Sequence, residues 1–143
     1  MAATVRPLPV TDDRDTAGFW EAARRHELAV LACQECDAVL HMPRAYCHHC
    51  GSWSVAWRKV AGRGSLRSWT VVDHQSHPAF PVPYTVVLVQ LDEAPGVRLV
   101  GHLPGEHELS DGQPMEVWFE TVDDGVVLPQ WRPAPADQEE HTR

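Results

Sequence analysis

Cys33-Gln34-Glu35-Cys36 and Cys47-His48-His49-Cys50 are two Cys-x2-Cys pairs with ten residues between them, and they hold all four cysteines of the chain. Two residues between cysteines let a tight turn aim both sulfurs at one centre. Two such turns face to face supply the four thiolates of a tetrahedral Zn²⁺ site. The segment between them is long enough for two short strands to bring the second turn opposite the first. Gly51 follows the second pair, where a residue free to take positive φ turns the chain away from the metal. Two disulfides are the competing reading, but no secretory leader precedes the cysteines, which argues against an oxidising compartment. His41, His48 and His49 lie close by as surface groups or partners of the ligands. Four thiolates complete the coordination and leave no position for water or substrate, so a structural metal is expected, not a catalytic one.

Outward from the cysteines, 143 residues give room for one modest domain or one domain with an appendage. No apolar run approaches the length of a membrane span, and the expected address is the cytoplasm. Twelve prolines, nine glycines and short β-branched runs favour strands and turns over long helices. The net charge is −8, and between residues 54 and 131 ten acids face five bases: Arg58, Lys59, Arg63, Arg67 and Arg98. A surface built on phosphate contacts needs the opposite balance.

Residues 1–15 read as an extended arm. Asp15 or Thr16 can cap a short helix through Phe19-Trp20-Glu21-Ala22-Ala23-Arg24-Arg25, with acids before it and arginines at its end. Phe19, Trp20 and Ala23 share one face, which must bury itself either on its own domain or in a partner. Leu28 to Ala32 is an apolar strand into the first cysteine pair. From Ser54 the pattern is all-β. Strands are expected over residues 55–60, 65–73, 84–91, 97–103, 115–120 and 126–131, with residues 84–91 central and buried on both faces. Trp118 takes the polar-facing register of its strand, as rim packing or as an exposed contact. Residues 132–143 read as a frayed polar tail. The domains are thus an arm and helix (1–27), a zinc ribbon (28–53), a five-stranded OB-fold barrel (54–131) and a tail (132–143).

The order of features resembles a family of zinc-ribbon plus OB-fold proteins associated with acyl-CoA enzymes, long catalogued as a domain of unknown function. The resemblance runs from about Thr16 to Trp131. It rests on Phe19-Trp20-Glu21, the first cysteine pair, Pro43-Arg44-Ala45-Tyr46-Cys47-His48-His49-Cys50-Gly51, Gly62-Arg63-Gly64, Pro83-Tyr84 and Gly112-Gln113-Pro114-Met115. It departs at His48-His49, where a proline is common, and at His41, where an aromatic is usual. The resemblance implies a rubredoxin-like ribbon and a non-catalytic subunit. Such subunits dock on a thiolase-like enzyme (a thiolase, a synthase or a steroid side-chain aldolase) and support its folding, assembly or acyl-CoA binding. Leu128-Pro129-Gln130-Trp131-Arg132-Pro133 is most similar to the aldolase group.

On this reading Arg44, Arg63, Arg67 and Arg98 are candidates for CoA phosphates, with Trp69 or Tyr84 as stacking surfaces. Each has a plainer role as a solvated arginine or a core aromatic. Phe19, Trp20 and Trp118 are the partner-binding candidates. The alternative, a single-stranded nucleic-acid-binding protein, has fold analogy behind it and the acidic barrel against it. A self-contained enzyme would have to be built from Asp73, His74 and His77, or from His107, Ser110 and Asp111. Neither group pairs a nucleophile with a base in a recognisable way.

Overall fold

A computed structural model describes residues 5–135. The apolar run ahead of the cysteines forms β1 (Leu28–Cys33), every residue of which is buried. It lies in the middle of a three-stranded antiparallel sheet, between β2 (Val39–Leu40) and β3 (Val55–Val60). Alternation along β1 serves two cores: Leu28 and Val30 enter the barrel cluster, while Leu31 and Cys33 enter a small cluster with Leu40 and Cys47. β3, which falls within the span expected for the barrel (54–131), pairs instead with β1 along its whole length, from Leu28↔Val60 to Cys33↔Val55. Only one short strand, β2, forms between the cysteine pairs where two were expected.

The second sheet has five strands in the order β6-β5-β4-β7-β8: β4 (Arg63–Val72), β5 (Tyr84–Leu91), β6 (Arg98–Pro104), β7 (Pro114–Thr121) and β8 (Val127–Pro133). This is the expected OB-fold-like arrangement of the mostly β chain. The middle strand is β4, not β5. β5 is buried on one face only, at Thr85, Val87, Val89 and Leu91, because its other face has no covering layer. Trp131, fully buried, and Leu66, Val87, Val89, Leu91 and Met115 fill the interior. β6 and β8 meet across the remaining gap through the Gln130 side chain, whose Oε1 accepts the His102 N–H at 2.8 Å. β8 continues past the expected boundary: Arg132 pairs with Glu116 and Met115 with Pro133, and the rest of the polar tail lies outside the described residues.

The helix α1 (Ala17–Arg24) has Thr16 at its N-cap position without a side-chain capping bond; the Asp13 carbonyl accepts the N–H groups of Thr16 and Ala17 instead. Ala22 and Ala23 are buried, and α1 packs against β1, β3 and β8, so it ties the ribbon to the barrel. Gly18 permits this: any Cβ there would collide with the Trp57 indole. The arm is anchored by Arg6, which pairs with Glu120 at 3.0 Å and lies 5.2 Å over the Phe80 ring.

Candidate metal centre and docking surface

The two cysteine turns repeat each other bond for bond. Cys33 C=O accepts the Asp37 N–H at 3.0 Å, and Cys47 C=O accepts the Gly51 N–H at 2.8 Å. Cys33 N–H donates to Ala38 C=O and Cys47 N–H to Ser52 C=O, both at 2.8 Å. Both turns close through positive φ, 62° at Asp37 and 78° at Gly51, so the expectation for Gly51 holds. Asp is among the few non-glycine residues that tolerate this region.

The four sulfurs lie within 4.8 Å of one another, with Cys33···Cys50 and Cys36···Cys47 at 3.6 Å. A tetrahedron with Zn–S bonds of about 2.3 Å has sulfurs about 3.8 Å apart, so the site fits the ion. Each sulfur accepts an N–H from two residues on: Glu35 for Cys33, Ala38 for Cys36, His49 for Cys47 and Ser52 for Cys50. These amides favour thiolates, but four thiolates this close repel. The Ser52 N–H draws the Cys50 thiol down, yet burial and the three surrounding thiols push it up to about 12. Burial raises Cys47, and the N–H groups of Cys50 and His49 with the thiols of Cys36 and Cys50 bring it down to about 7. The Ala38 N–H lowers Cys36, while burial and the Cys47 and Cys33 thiols raise it overall. Such a set ionises fully only around a cation, and zinc supplies that charge. All four positions go to protein sulfur, so the metal is a structural staple.

Beside the ribbon, two apolar grooves flank α1. The first, about 370 Å³, lies between α1, the ribbon sheet and β6; its lining includes Val10, Leu31, Met42, Trp57, Arg98 and Val100. The second, about 350 Å³, lies between α1, β6 and β8, lined by Val100, His102, Leu128 and Trp131 among others. Phe19 and Trp20 line both, with their rings edge to face at 5.0 Å. Phe19 packs partly onto the barrel core, so the helix face meets its own domain and borders open apolar surface as well. Val10, Met42 and Val100 stand 70%, 67% and 65% exposed around the first groove.

The third partner-binding candidate, Trp118, is half-buried opposite Gln130 and lines neither groove. The CoA candidates are dispersed. Arg98 stands at the first groove, and Gln90 separates it from Ser65, two residues from Arg63, on the outer face of the sheet. Arg67 pairs with Asp111 at 4.0 Å, and Arg44 is exposed in the loop after β2. Tyr84 packs at the far end of β5 against His102, and Trp69 lies on the outlying half of β4. Sequence reasoning missed Val100, whose outward register opposite Leu88 was readable from the strand's alternation. It also missed Trp53, 74% exposed and 5.4 Å from the Tyr46 ring on the second cysteine turn, for which no periodic signal existed.

Residues 20–54 match the family described as "ChsH2, rubredoxin-like zinc ribbon domain", and residues 57–120 match "ChsH2, C-terminal OB-fold domain". A solved chain from "Ltp2-ChsH2(DUF35) aldolase" superposes with a TM-score of 0.78 at 36% identity, covering 90% of this chain and 98% of that one. The chain belongs to the ChsH2 zinc-ribbon and OB-fold (DUF35) family. Among curated relatives, a "Probable enoyl-CoA hydratase alpha subunit" of Thermomonospora curvata is 37% identical over 94% of this chain. The match spans only 42% of that relative's length. A "DUF35 domain-containing scaffold protein" of Pyrococcus furiosus is 26% identical over 77% of this chain and 85% of its own length.

Proposed function

We propose that this chain is a non-catalytic subunit that docks on a thiolase-like acyl-CoA enzyme and supports its folding, assembly or substrate binding. The observation that carries the reading is the pair of apolar grooves sharing Phe19 and Trp20, ringed by exposed Val10, Met42 and Val100. Clustered apolar exposure around an aromatic anchor is what a protein-binding hot spot requires. Two names among the relatives support it: a scaffold protein, and an aldolase named for two components. The hydratase name belongs to a protein more than twice as long as the matched region, and no nucleophile–base pair was recognised in this chain's sequence. An acyl-CoA contact belongs to the same reading at Arg98. It stands at the first groove, and among the described residues no carboxylate lies within ion-pair distance of it.

The test is co-expression with a thiolase-like acyl-CoA enzyme from the same source, followed by co-purification and activity with and without this chain. Val100→Asp alters an exposed side chain and should weaken assembly at unchanged thermal stability. The pair Phe19→Ala and Trp20→Ala should abolish assembly, with some loss of stability because Phe19 also touches the core. An enzyme that folds and turns over equally well alone sinks the reading.

A further inference from the structure

β4 is paired on both sides for only part of its length. Its ladder with β7 covers Arg63, Gly64 and Ser65. Leu66 then exchanges bonds with the preceding loop, its N–H donating to Gln113 C=O at 2.9 Å and its C=O accepting the Gly112 N–H at 2.7 Å. After a register shift between Leu66 and Ser68, residues Ser68 to Val72 pair with β5 alone. Among the described residues nothing backbone-bonds the other edge of this segment. Ser68, Trp69 and Thr70 are exposed, Trp69 at 38%.

Beyond the register shift at Leu66/Ser68, this edge carries none of the side chains that blunt exposed strands. Ser68-Trp69-Thr70-Val71-Val72 contains no charge, no proline and no glycine, and most of it has high β-propensity. Charges stand only at its two ends, and they are opposite: Arg67 before it and Asp73 after it. Both are exposed.

We propose that this edge pairs antiparallel with the same edge of a second copy, centred on Thr70, to join two barrels in one continuous sheet. Centring on Thr70 sets residue i opposite residue 140 − i. Arg67, whose exposed contact with Asp111 in its own chain is long at 4.0 Å, then turns to Asp73 of the other copy, twice across the two-fold axis. Trp69 falls opposite Val71, an aromatic–β-branched pair, and Thr70 opposite Thr70; both are favourable cross-strand pairs. Moving the centre to Trp69 or Val71 leaves both charges facing neutral residues, so the sequence selects one register. A parallel arrangement would oppose Arg67 to Arg67 and Asp73 to Asp73. The surface is distinct from the grooves around α1, and the proposal does not rest on the docking reading.

The test is sedimentation of the zinc-loaded chain over a range of concentrations. The wild type should show a monomer–dimer equilibrium. Thr70→Lys sets two lysines face to face and should weaken the dimer roughly tenfold or more, while the exposed position leaves the thermal midpoint in place. Arg67→Asp and Asp73→Arg should each weaken it, and the double variant should restore it. A charge reversal that rescues cannot come from a merely structural role. A wild type that stays monomeric at every concentration overturns the proposal, as does a dimer indifferent to Thr70→Lys. A monomer whose Thr70→Lys variant instead loses its enzyme partner overturns it too, and assigns the edge to a strand of that partner.

Discussion

Around the cysteine turns the buried core cluster is four residues, Leu31, Cys33, Leu40 and Cys47, and two of those are metal ligands. The barrel gathers a far larger one, with Trp131, Leu66, Val87, Val89 and Met115 nearly or fully buried. A cluster of that small size cannot offset the ordering of some twenty loop residues, at about 1–2 kcal/mol each for the backbone. The ribbon therefore depends on its ion, while the barrel depends on apolar burial. The boundary does not follow the sheets: β1 sends Leu28 and Val30 into the barrel core and Cys33 to the metal.

Removing zinc breaks this comparison hardest. Metal-coupled folding of such sites amounts to about 10–16 kcal/mol. Chelation should strip hydrogen-exchange protection from the amides of Cys33, Gln34, Asp37, Cys47 and Gly51, which are bonded within the cysteine turns or to the segment after them. The amides of β5, and the Leu28↔Val60 end of the ribbon sheet, should stay protected. Uniform loss across the barrel would show a single cooperative unit and refute the division.

Within the ribbon, the two turns differ in the residue that takes the positive φ. Gly51 and Asp37 both occupy the left-handed region, but Asp37 also receives the Arg58 guanidinium at 2.9 Å. Gly51→Val should cost about 1–2 kcal/mol, because a β-branched residue pays the full left-handed penalty. Asp37→Gly trades relief of that penalty against an exposed ion pair of about 0.2–1 kcal/mol, so its net effect should be near zero. Zinc competition with a chromophoric chelator reads both. An Asp37→Gly variant that loses as much affinity as Gly51→Val would mean the turns are not equivalent.

The ribbon was the most legible part of the sequence because metal ligation is a matter of residue type and spacing, both local. The barrel strands were legible from alternation, to within a few residues at their ends. What local pattern does not hold is partnership. β3 carries a strand signal, and whether it joins ribbon or barrel depends on contacts with β1, far away in sequence. The apolar content of β5 suggested a strand covered on both faces, but its outer side chains, Val86 and Leu88 among them, are only half-buried. Of the docking surface, the Phe19-Trp20 pair was visible as an amphipathic face. Val10, Met42 and Val100 were not, because three separate segments bring them to one groove.

The ribbon and the barrel should also differ in acid, and the barrel's part turns on His102. Its Nε2 is buried without a hydrogen-bond partner, beside Tyr84 and Phe80 and near the Arg6–Glu120 pair. Burial lowers its pKa below 6.5, the Arg6 charge lowers it further, and Glu120 opposes them. The unfolded chain therefore binds a proton that the folded chain refuses, in the window between 6.5 and the depressed value. Stability from this group is complete above that window and is lost as pH falls through it. The ribbon weakens in acid for another reason, since protonated thiols release zinc. His102→Phe separates the two: it should flatten the acid slope read by near-ultraviolet signals of the barrel and leave the pH of zinc release unchanged. If the slope persists in that variant, the acid sensitivity of the barrel comes through the metal, and the two regions are coupled after all.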